Sequence, residues 1–187
     1  MTDAEIAALL TGKHLRLLPY VRGHWPPETL VVLWRMVRDE GAQGKIFFAG
    51  PGSTTPFPTQ GDLVHFIKFF DPEPPVQRLL LIAHSAENDL AGLFWFDDFV
   101  PGHRVTGNVC YRRRYWGEPA REASRLALAY GFEVLGVRSI WAYSPWKTGI
   151  HHGEAVGMTQ VATLPDFAMA GGQALDLAIL RMRREDF

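Results

Sequence analysis

The clearest chemical signal in the sequence is an arginine-rich turn between a predicted strand and a predicted helix. Residues 105–111 are rich in β-branched and aromatic side chains, which is typical of a strand. Apolar residues at steps of three and four run from Ala123 to Val134, which indicates one face of a helix. Between them lies the turn Arg112-Arg113-Arg114-Tyr115-Trp116-Gly117-Glu118-Pro119-Ala120, with Pro119 suited to the first turn of the helix.

A turn of this kind favours a phosphate-bearing ligand. The first turn of a helix exposes backbone N–H groups without partners, at the positive end of the helix dipole. Arginine side chains add paired donors that match phosphate oxygens. The alternative is the solvated edge of an ordinary strand–turn–helix unit, so the rest of the chain has to decide between them.

A few other side chains could carry acid–base or nucleophilic chemistry. Asp97 and Asp98 end a predicted strand, either as a general base or as carboxylates in solvent. His151 and His152 lie on a predicted short helix, and histidine is the natural acid–base residue near neutral pH. Adjacent helix positions point about 100° apart, so at most one of the two faces a cleft. Cys110 lies within a strand and has no histidine at a motif spacing, which predicts a packed side chain. The histidine spacing predicts no metal site.

The composition is that of one soluble domain. The chain has 187 residues, of which 47% are hydrophobic and 21% charged, and its net charge of −1 argues against broad nucleic-acid binding. With Cys110 as the only cysteine, no internal disulfide can form. No secretory signal or bilayer-length apolar run is present. We therefore expect a cytoplasmic protein with neither membrane nor nucleic acid as partner.

Local patterns predict the order of the remaining elements. A capped helical turn over 2–10 precedes a strand over 15–21 and helices over 29–37 and 63–70, the latter opened by Asp62 as N-cap. Gly41 to Gly61 is loop-like, without the ending of a P-loop. A three-strand meander over 78–84, 91–96 and 105–111 leads into the turn and helix, which Gly136 ends. A parallel strand over 139–144, a helix over 148–156 and an antiparallel pair over 159–164 and 174–182 follow.

This order and the motifs within it resemble the GCN5-related N-acetyltransferase (GNAT) family, most of all its ribosomal-protein alanine acetyltransferase subgroup. The residues that carry the resemblance are Tyr115-Trp116-Gly117-Glu118-Pro119, Glu122-Ala123, Phe132, Leu135-Gly136-Val137-Arg138-Ser139-Ile140 and Glu154-Ala155-Val156-Gly157-Met158. The match covers about residues 79–182.

The resemblance implies a single α/β acyltransferase domain over 1–187. Its core would span 79–182, with an aromatic-rich insertion over about 26–75. The central sheet would be mixed and mostly antiparallel, with about seven strands flanked by helices and a parallel strand pair at the coenzyme site.

The resemblance also implies acetyl-coenzyme A as co-substrate. Backbone N–H groups from about Gly117 to Arg121 would hold the pyrophosphate, in a loop that also contains Trp116, Ala120 and Pro119, which has no N–H. The side chains of Arg112, Arg114 and Arg121 would neutralise the phosphates. The pantetheine arm would follow the edge of Val109, Cys110 and Tyr111, opened by splaying from the strand at Ser139–Ser144. A backbone N–H near Tyr111 would donate to the thioester oxygen.

In this family the acetyl group moves directly from thioester to amine. Asp97 or Asp98 would accept the amine proton, directly or through water. Ser144 would donate to the departing thiolate, and His151 is the histidine expected near the sulfur. The sequence departs from the family at Pro119, at Glu118, at Trp146 in place of the usual asparagine, and at Gly153 where a tyrosine acid often stands.

The expected function is acetyl transfer to an amine on a protein N-terminus, a lysine or a small molecule, with a homodimer left open. The departures support an alternative: a catalytically idle domain that binds coenzyme A or a protein partner. A third hypothesis is an α/β domain that binds another nucleotide.

Overall fold

The computed structural model describes residues 1–40, 63–72, 77–170 and 173–187. The predicted loop over 41–61 and the N-cap at Asp62 lie outside these residues. Five α-helices are described: α1 (Asp3–Leu9), α2 (Thr29–Asp39), α3 (Leu63–Phe70), α4 (Glu118–Glu133) and α5 (Lys147–Ala155). The strands are β1 (Leu15–Pro19), β2 (Leu79–Ser85), β3 (Leu90–Val100), β4 (Arg104–Tyr111), β5 (Ser139–Ser144), β6 (Thr159–Ala170) and β7 (Gln173–Arg183). Short 3₁₀ turns cover Arg113–Tyr115 and Arg184–Asp186.

The seven strands form one sheet in the order β1-β2-β3-β4-β5-β7-β6. Every neighbouring pair is antiparallel except β4 and β5, which are parallel and connected through α4. A parallel neighbour requires a crossover connection, and α4 supplies it. The predicted fold class is confirmed.

Alternating side chains on the central strands divide the core into two clusters, one on each face of the sheet. Phe94 and Phe96 pack on the face covered by α1 and α4. Leu93 and Trp95 pack on the opposite face, against α2 and α3. The predicted buried stripe of α2 is confirmed, with Leu30, Leu33, Trp34 and Val37 all buried. The aromatic side chains Phe66 and Phe70 of α3 belong to this second cluster, as expected for core residues.

Glu122 fixes α4 to the start of the sheet. Its carboxylate accepts hydrogen bonds from the backbone N–H groups of Lys13 (2.8 Å), His14 (2.7 Å) and Leu15 (3.2 Å). Burial alone would raise the pKa of this carboxyl, but the three amide hydrogen bonds outweigh burial and lower it. Glu122, which belongs to the motif quoted above, therefore has a structural role: it joins α4 to the residues before β1.

Two predicted strand ends differ from the structure. Asp97 and Asp98 do not close β3, which continues to Val100 through an irregularity in its pairing with β4. Asp98 takes a positive φ of 50° there, and this bend allows the chain to pass both carboxylates without ending the strand. The last two strands are also longer than predicted, because the β6–β7 hairpin extends well past Leu164.

Candidate functional site

The parallel pair β4 and β5 separates soon after it forms. Pairing joins Arg104 with Ser139, Val105 with Ile140 and Thr106 with Trp141, and it then stops. From Gly107 to Tyr111 the edge of β4 that faces β5 is therefore open. This open stretch is the splayed edge predicted beside Cys110.

The pairing of β4 with β3 shows which backbone groups face the opening. Arg112 N–H donates to the Ala91 carbonyl at 2.9 Å, and the register is regular from Tyr111 to Thr106. Hydrogen bonds alternate along an antiparallel pair, so Cys110 and Asn108 bond to β3 while Val109 and Tyr111 point their N–H groups at the gap. The backbone of Cys110 is thus not part of the open edge, although the residue lies in the middle of it.

A cavity of about 450 Å³ occupies the gap. One wall is the open edge of β4, another is the start of α4, and β5 with α5 closes the opposite side. Ala120, Ser124 and Leu128 stand four residues apart and present one face of α4 to it. Among the predicted site residues, the cavity is lined by Val109, Cys110, Tyr111, Trp116, Gly117, Ala120, Arg121, Ser144 and His151.

The N-terminus of α4 opens onto the same cavity. Gly117 is its N-cap, with a φ of 86° that favours glycine, and no side chain caps the helix. Pro119 lies in the first turn, as predicted, and has no N–H to leave unpaired. Glu118 turns its carboxylate along the helix to Arg125, 3.0 Å away, so its charge is partly neutralised by that arginine.

The predicted arginines divide into two groups. Arg121 lines the cavity. Arg112 and Arg114 are outside its wall and both face Asp89 in the turn between β2 and β3, Arg114 in a short hydrogen-bonded ion pair and Arg112 at 4.0 Å. Tyr115 Oη also donates to Asp89 at 2.8 Å. The arginine run therefore fastens the turn to the neighbouring hairpin as well as placing positive charge near the helix.

On the α4 face of the gap, three uncharged polar side chains form a chain of hydrogen bonds. Tyr111 Oη lies 3.1 Å from Ser124 Oγ, which lies 2.9 Å from His152 Nε2. Burial raises the pKa of Tyr111 above its ordinary value. Burial, with Arg121 and Arg125 nearby, lowers the pKa of His152 to about 4, so the imidazole is neutral at neutral pH. This chain ties β4, α4 and α5 together beneath the open edge.

On the α2 and α3 face, charged side chains gather instead. Asp97 accepts hydrogen bonds from Trp95 Nε1 (3.2 Å) and Asn108 Nδ2 (3.4 Å), and Arg78 Nε lies 3.7 Å away. Burial raises the pKa of Asp97 to about 6, and the charge of Asp98 adds to the rise. Asp97 itself does not line the cavity, but Trp95 and Asn108 do. The predicted base is therefore one residue behind the cavity wall.

The residues around α5 differ in part from expectation. Ser144 lines the cavity, but its hydroxyl accepts from Trp146 N–H (3.1 Å) and donates to the Trp146 carbonyl (3.2 Å) at the start of α5. His151 is exposed at the cavity wall, whereas the neighbouring His152 makes the buried contact. Gly153 packs against β7, where an added Cβ would lie 2.7 Å from the Cδ2 atom of Leu180, so a larger residue at this position would require the Leu180 side chain to move.

Cys110 packs its side chain in the cluster with α2 and α3, as predicted for a small core residue. Burial raises the pKa of its thiol to about 12, and the charge of Glu40 contributes to the rise. A thiol with this pKa is protonated at neutral pH and is not a nucleophile.

Three residues line the cavity although the sequence patterns predict no site role for them: Asn108, Ser124 and Glu40. Asn108 is an amide within an apolar strand, and Ser124 is a hydroxyl on the apolar face of a helix. Each interrupts a hydrophobic period, which is a signal that single-sequence inspection can detect. Glu40 ends α2, far from the gap in sequence, and gives no such signal.

Comparison with protein families found no match, and neither did comparison with curated protein sequences. Solved structures do match. Spermidine N-acetyltransferase from Vibrio cholerae, in complex with coenzyme A and spermine, superposes with a TM-score of 0.72 at 15% identity, over 94% of this chain and 98% of that one. A GNAT-family acetyltransferase from Bacillus anthracis gives a TM-score of 0.68 at 17% identity, again over 94% and 98%. The chain therefore has the fold of the GNAT acetyltransferases.

Proposed function

We propose that this protein transfers an acetyl group from acetyl-coenzyme A to an amine. The observation that carries the proposal is the open edge of β4 running directly from the uncapped N-terminus of α4. Together they offer backbone donors for a diphosphate at one end and for an extended, amide-containing arm along the strand.

The residues present fit such a ligand. The N–H groups at the start of α4 would receive the pyrophosphate, with Arg121 beside it and Arg112 and Arg114 able to exchange Asp89 for a phosphate oxygen. The N–H and C=O groups of Val109 would pair with the arm, and the Tyr111 N–H would donate to it as well. The Tyr111 carbonyl is already bonded to Trp116 Nε1 at 2.9 Å. When bound, the coenzyme supplies the activated acetyl group.

The amine must lose a proton before it can attack, and the Asp97 carboxylate is the base best placed to accept it. Asp97 lies behind Asn108 and outside the cavity wall, so the proton would reach it through a water molecule. With a pKa of about 6, Asp97 is ionised at neutral pH and can accept the proton. The nitrogen then forms the new C–N bond as the C–S bond breaks, and the coenzyme leaves as a thiolate that takes up the second proton released by the nitrogen.

The acceptor is an amine on a protein N-terminus, a lysine or a small molecule. The sequence resemblance to ribosomal-protein alanine acetyltransferases supports the first. The Vibrio cholerae enzyme, crystallised with spermine, supports the last. Among the described residues, no helix has both the length and the apolar character needed to cross a bilayer. We propose a cytoplasmic location, which the single, unpaired cysteine of the sequence supports.

A binding-only role is the second candidate, favoured by one observation at α5. The Ser144 hydroxyl already donates to the Trp146 carbonyl, and Gly153 supplies no side-chain acid where the family often has a tyrosine. Binding of acetyl-coenzyme A without turnover of any amine would select this candidate.

The test is calorimetric titration with acetyl-coenzyme A, supported by thermal unfolding. A ligand at a hundredfold excess over its Kd stabilises the folded state by about 2.7 kcal/mol. Arg121→Glu should weaken binding about tenfold or more, because it reverses a charge at the cavity wall. Arg138→Glu is the matched control, since Arg138 is exposed beyond the far end of α4 and lies outside that wall. No binding by the unaltered protein, or equal losses in both variants, would overturn the proposal.

A further inference from the structure

Asn108 holds a distinctive place in the open gap. Along the unpaired part of β4 it is flanked by Gly107 and Val109, and its side chain lies on the α2 and α3 face with Trp95 and Cys110. Asn108 lines the cavity and donates a hydrogen bond to Asp97, and Asp97 itself does not line the cavity. Asn108 and Trp95 therefore both connect the Asp97 carboxylate to the space where an acceptor would sit, and Asn108 alone of the two also has an acceptor oxygen.

The contact with Asp97 fixes which way the amide of Asn108 is turned. An ionised carboxylate only accepts hydrogen bonds, so it must be met by the amide Nδ2, at 3.4 Å. The amide oxygen then points away from Asp97. Nothing else in the described part of the chain accounts for that oxygen's two lone pairs, so a donor from the cavity can approach it.

The surrounding charge favours a cation on this face. Glu40 lines the same cavity, and its charge reaches Cys110, two residues from Asn108 on the same face of β4. Asp97 and Asp98 stand behind the amide. The opposing positive groups are Arg78, which faces Asp97 at 3.7 Å, and Arg113, which lines the cavity and whose backbone N–H bonds Glu40 at 3.2 Å. An alkylammonium group carries the donors and the charge that this arrangement accepts.

Building on the acetyl-transfer function above, we infer that the Asn108 amide oxygen binds the acceptor nitrogen, and that the acceptor is a primary amine arriving as its ammonium from the α2 and α3 face. Asn108 thus sets acceptor specificity. Its oxygen aims one N–H of the acceptor while its Nδ2 holds Asp97 in place to receive the proton. An amine with no N–H left after deprotonation, such as a tertiary amine, lacks the donor that this oxygen requires.

Asn108→Leu tests the inference because leucine keeps the volume and removes both polar atoms. Acceptors would be a lysine-containing peptide, a peptide with a free N-terminal alanine, and a linear diamine, each beside its N,N-dimethyl counterpart. With whichever primary amine the unaltered protein uses best, KM should rise about tenfold or more while the Kd for acetyl-coenzyme A stays unchanged. The N,N-dimethyl counterpart keeps the charge and one N–H as its ammonium, so it should inhibit the unaltered protein without being acetylated, and Asn108→Leu should weaken that inhibition.

A second readout separates acceptor binding from simple structural damage. The hydrogen bond from Asn108 lowers the pKa of Asp97, so its loss should move the acid limb of the kcat/KM profile to higher pH. Thr106→Val is the matched control. It removes a hydroxyl bonded to the adjacent carboxylate of Asp98 from the same strand, and Thr106 does not line the cavity. This control should leave KM for the amine and the acid limb in place. Asn108→Ala repeats the test if the leucine variant does not fold.

The outcomes distinguish this inference from the function it rests on. If the unaltered protein neither binds acetyl-coenzyme A nor acetylates an amine, both fail together. If it does both and the Asn108 variants keep the original KM and acid limb, only the role of Asn108 is overturned.

Discussion

The two faces of the sheet at the gap differ in the charge of their polar side chains. Beneath α4, the chain Tyr111–Ser124–His152 is buried and uncharged, and each contact is a hydrogen bond between neutral groups. Beneath α2 and α3, Asp97 keeps a carboxylate close to Arg78 and Asp98. Hydrogen bonds between neutral groups stabilise the wall at little desolvation cost. Burying a carboxylate lowers the free energy of unfolding, and such groups are concentrated at functional sites.

The strongest way to break this comparison is to neutralise the charged face. Asp97→Asn should reduce kcat by about 10² to 10⁴, the range for loss of a general base. The Kd for acetyl-coenzyme A should not change, because Asp97 does not line the cavity. Steady-state kinetics with calorimetry measures both.

Asp98→Asn is the matched control for that variant. It removes the same charge one residue away, and asparagine tolerates the positive φ found there. Asp98 raises the pKa of Asp97, so this control should retain kcat and shift the acid limb to lower pH. Equal losses of kcat in the two variants would contradict a special role for Asp97.

The neutral face should respond in stability instead of activity. Ser124→Ala leaves Tyr111 Oη and His152 Nε2 without their shared partner, which costs about 1–3 kcal/mol in the free energy of unfolding. Urea denaturation measures the change. Adding Tyr111→Phe to Ser124→Ala removes one of the orphaned groups and should cost less than the sum of the two single substitutions. Strict additivity would show that the three side chains do not act as a chain.

A smaller effect should appear as opposite pH dependences from the two faces. His152 has its pKa lowered to about 4, so its contribution to folding is present above about 6.5, its ordinary pKa, and is lost as pH falls towards 4. Asp97 has its pKa raised to about 6, so its contribution is present below about 4 and is lost as pH rises through 6. In the unaltered protein these slopes oppose each other over pH 4–6.

Single variants should expose each slope. With His152→Phe, stability should fall more steeply as pH rises from 4 to 6; with Asp97→Asn, it should rise over the same window. Each change should be on the order of 1 kcal/mol, because residual exposure reduces the 1.36 kcal/mol per pKa unit that full burial gives. Denaturant unfolding at several pH values measures both, and two unchanged slopes would contradict the assignments.

Most of the fold followed from local pattern, whereas much of the site did not. The strand–turn–helix from Val105 to Val134 is predictable because the hydrophobic period, the proline at the helix start and the glycine after the helix end all indicate the same elements. The family resemblance implies an open edge at Val109, Cys110 and Tyr111. In the structure, the N–H groups of Val109 and Tyr111 face the gap, whereas that of Cys110 faces β3. Asp97 was selected by its position near a strand end, although the strand continues beyond it.

What the sequence could not supply is which side chains meet across elements. His151 and His152 are equivalent in a helical pattern, and only the packing of α5 against Ser124 separates them. The pairing of Arg112 and Arg114 with Asp89 joins residues more than twenty positions apart, which no local period records. The Glu122 contact with three amides before β1 is of the same kind.

The gap between β4 and β5 is closed at one end, where Thr106 pairs with Trp141. From Tyr111 back to Gly107 is four residue steps, or about 13 Å at 3.3 Å per residue. A molecule anchored at Gly117 can thread no further than that along the sheet. Any acyl chain longer than the gap allows would have to bend out of the plane, towards one layer of helices or the other, and the side chains at that bend would then limit the acyl length that the protein accepts.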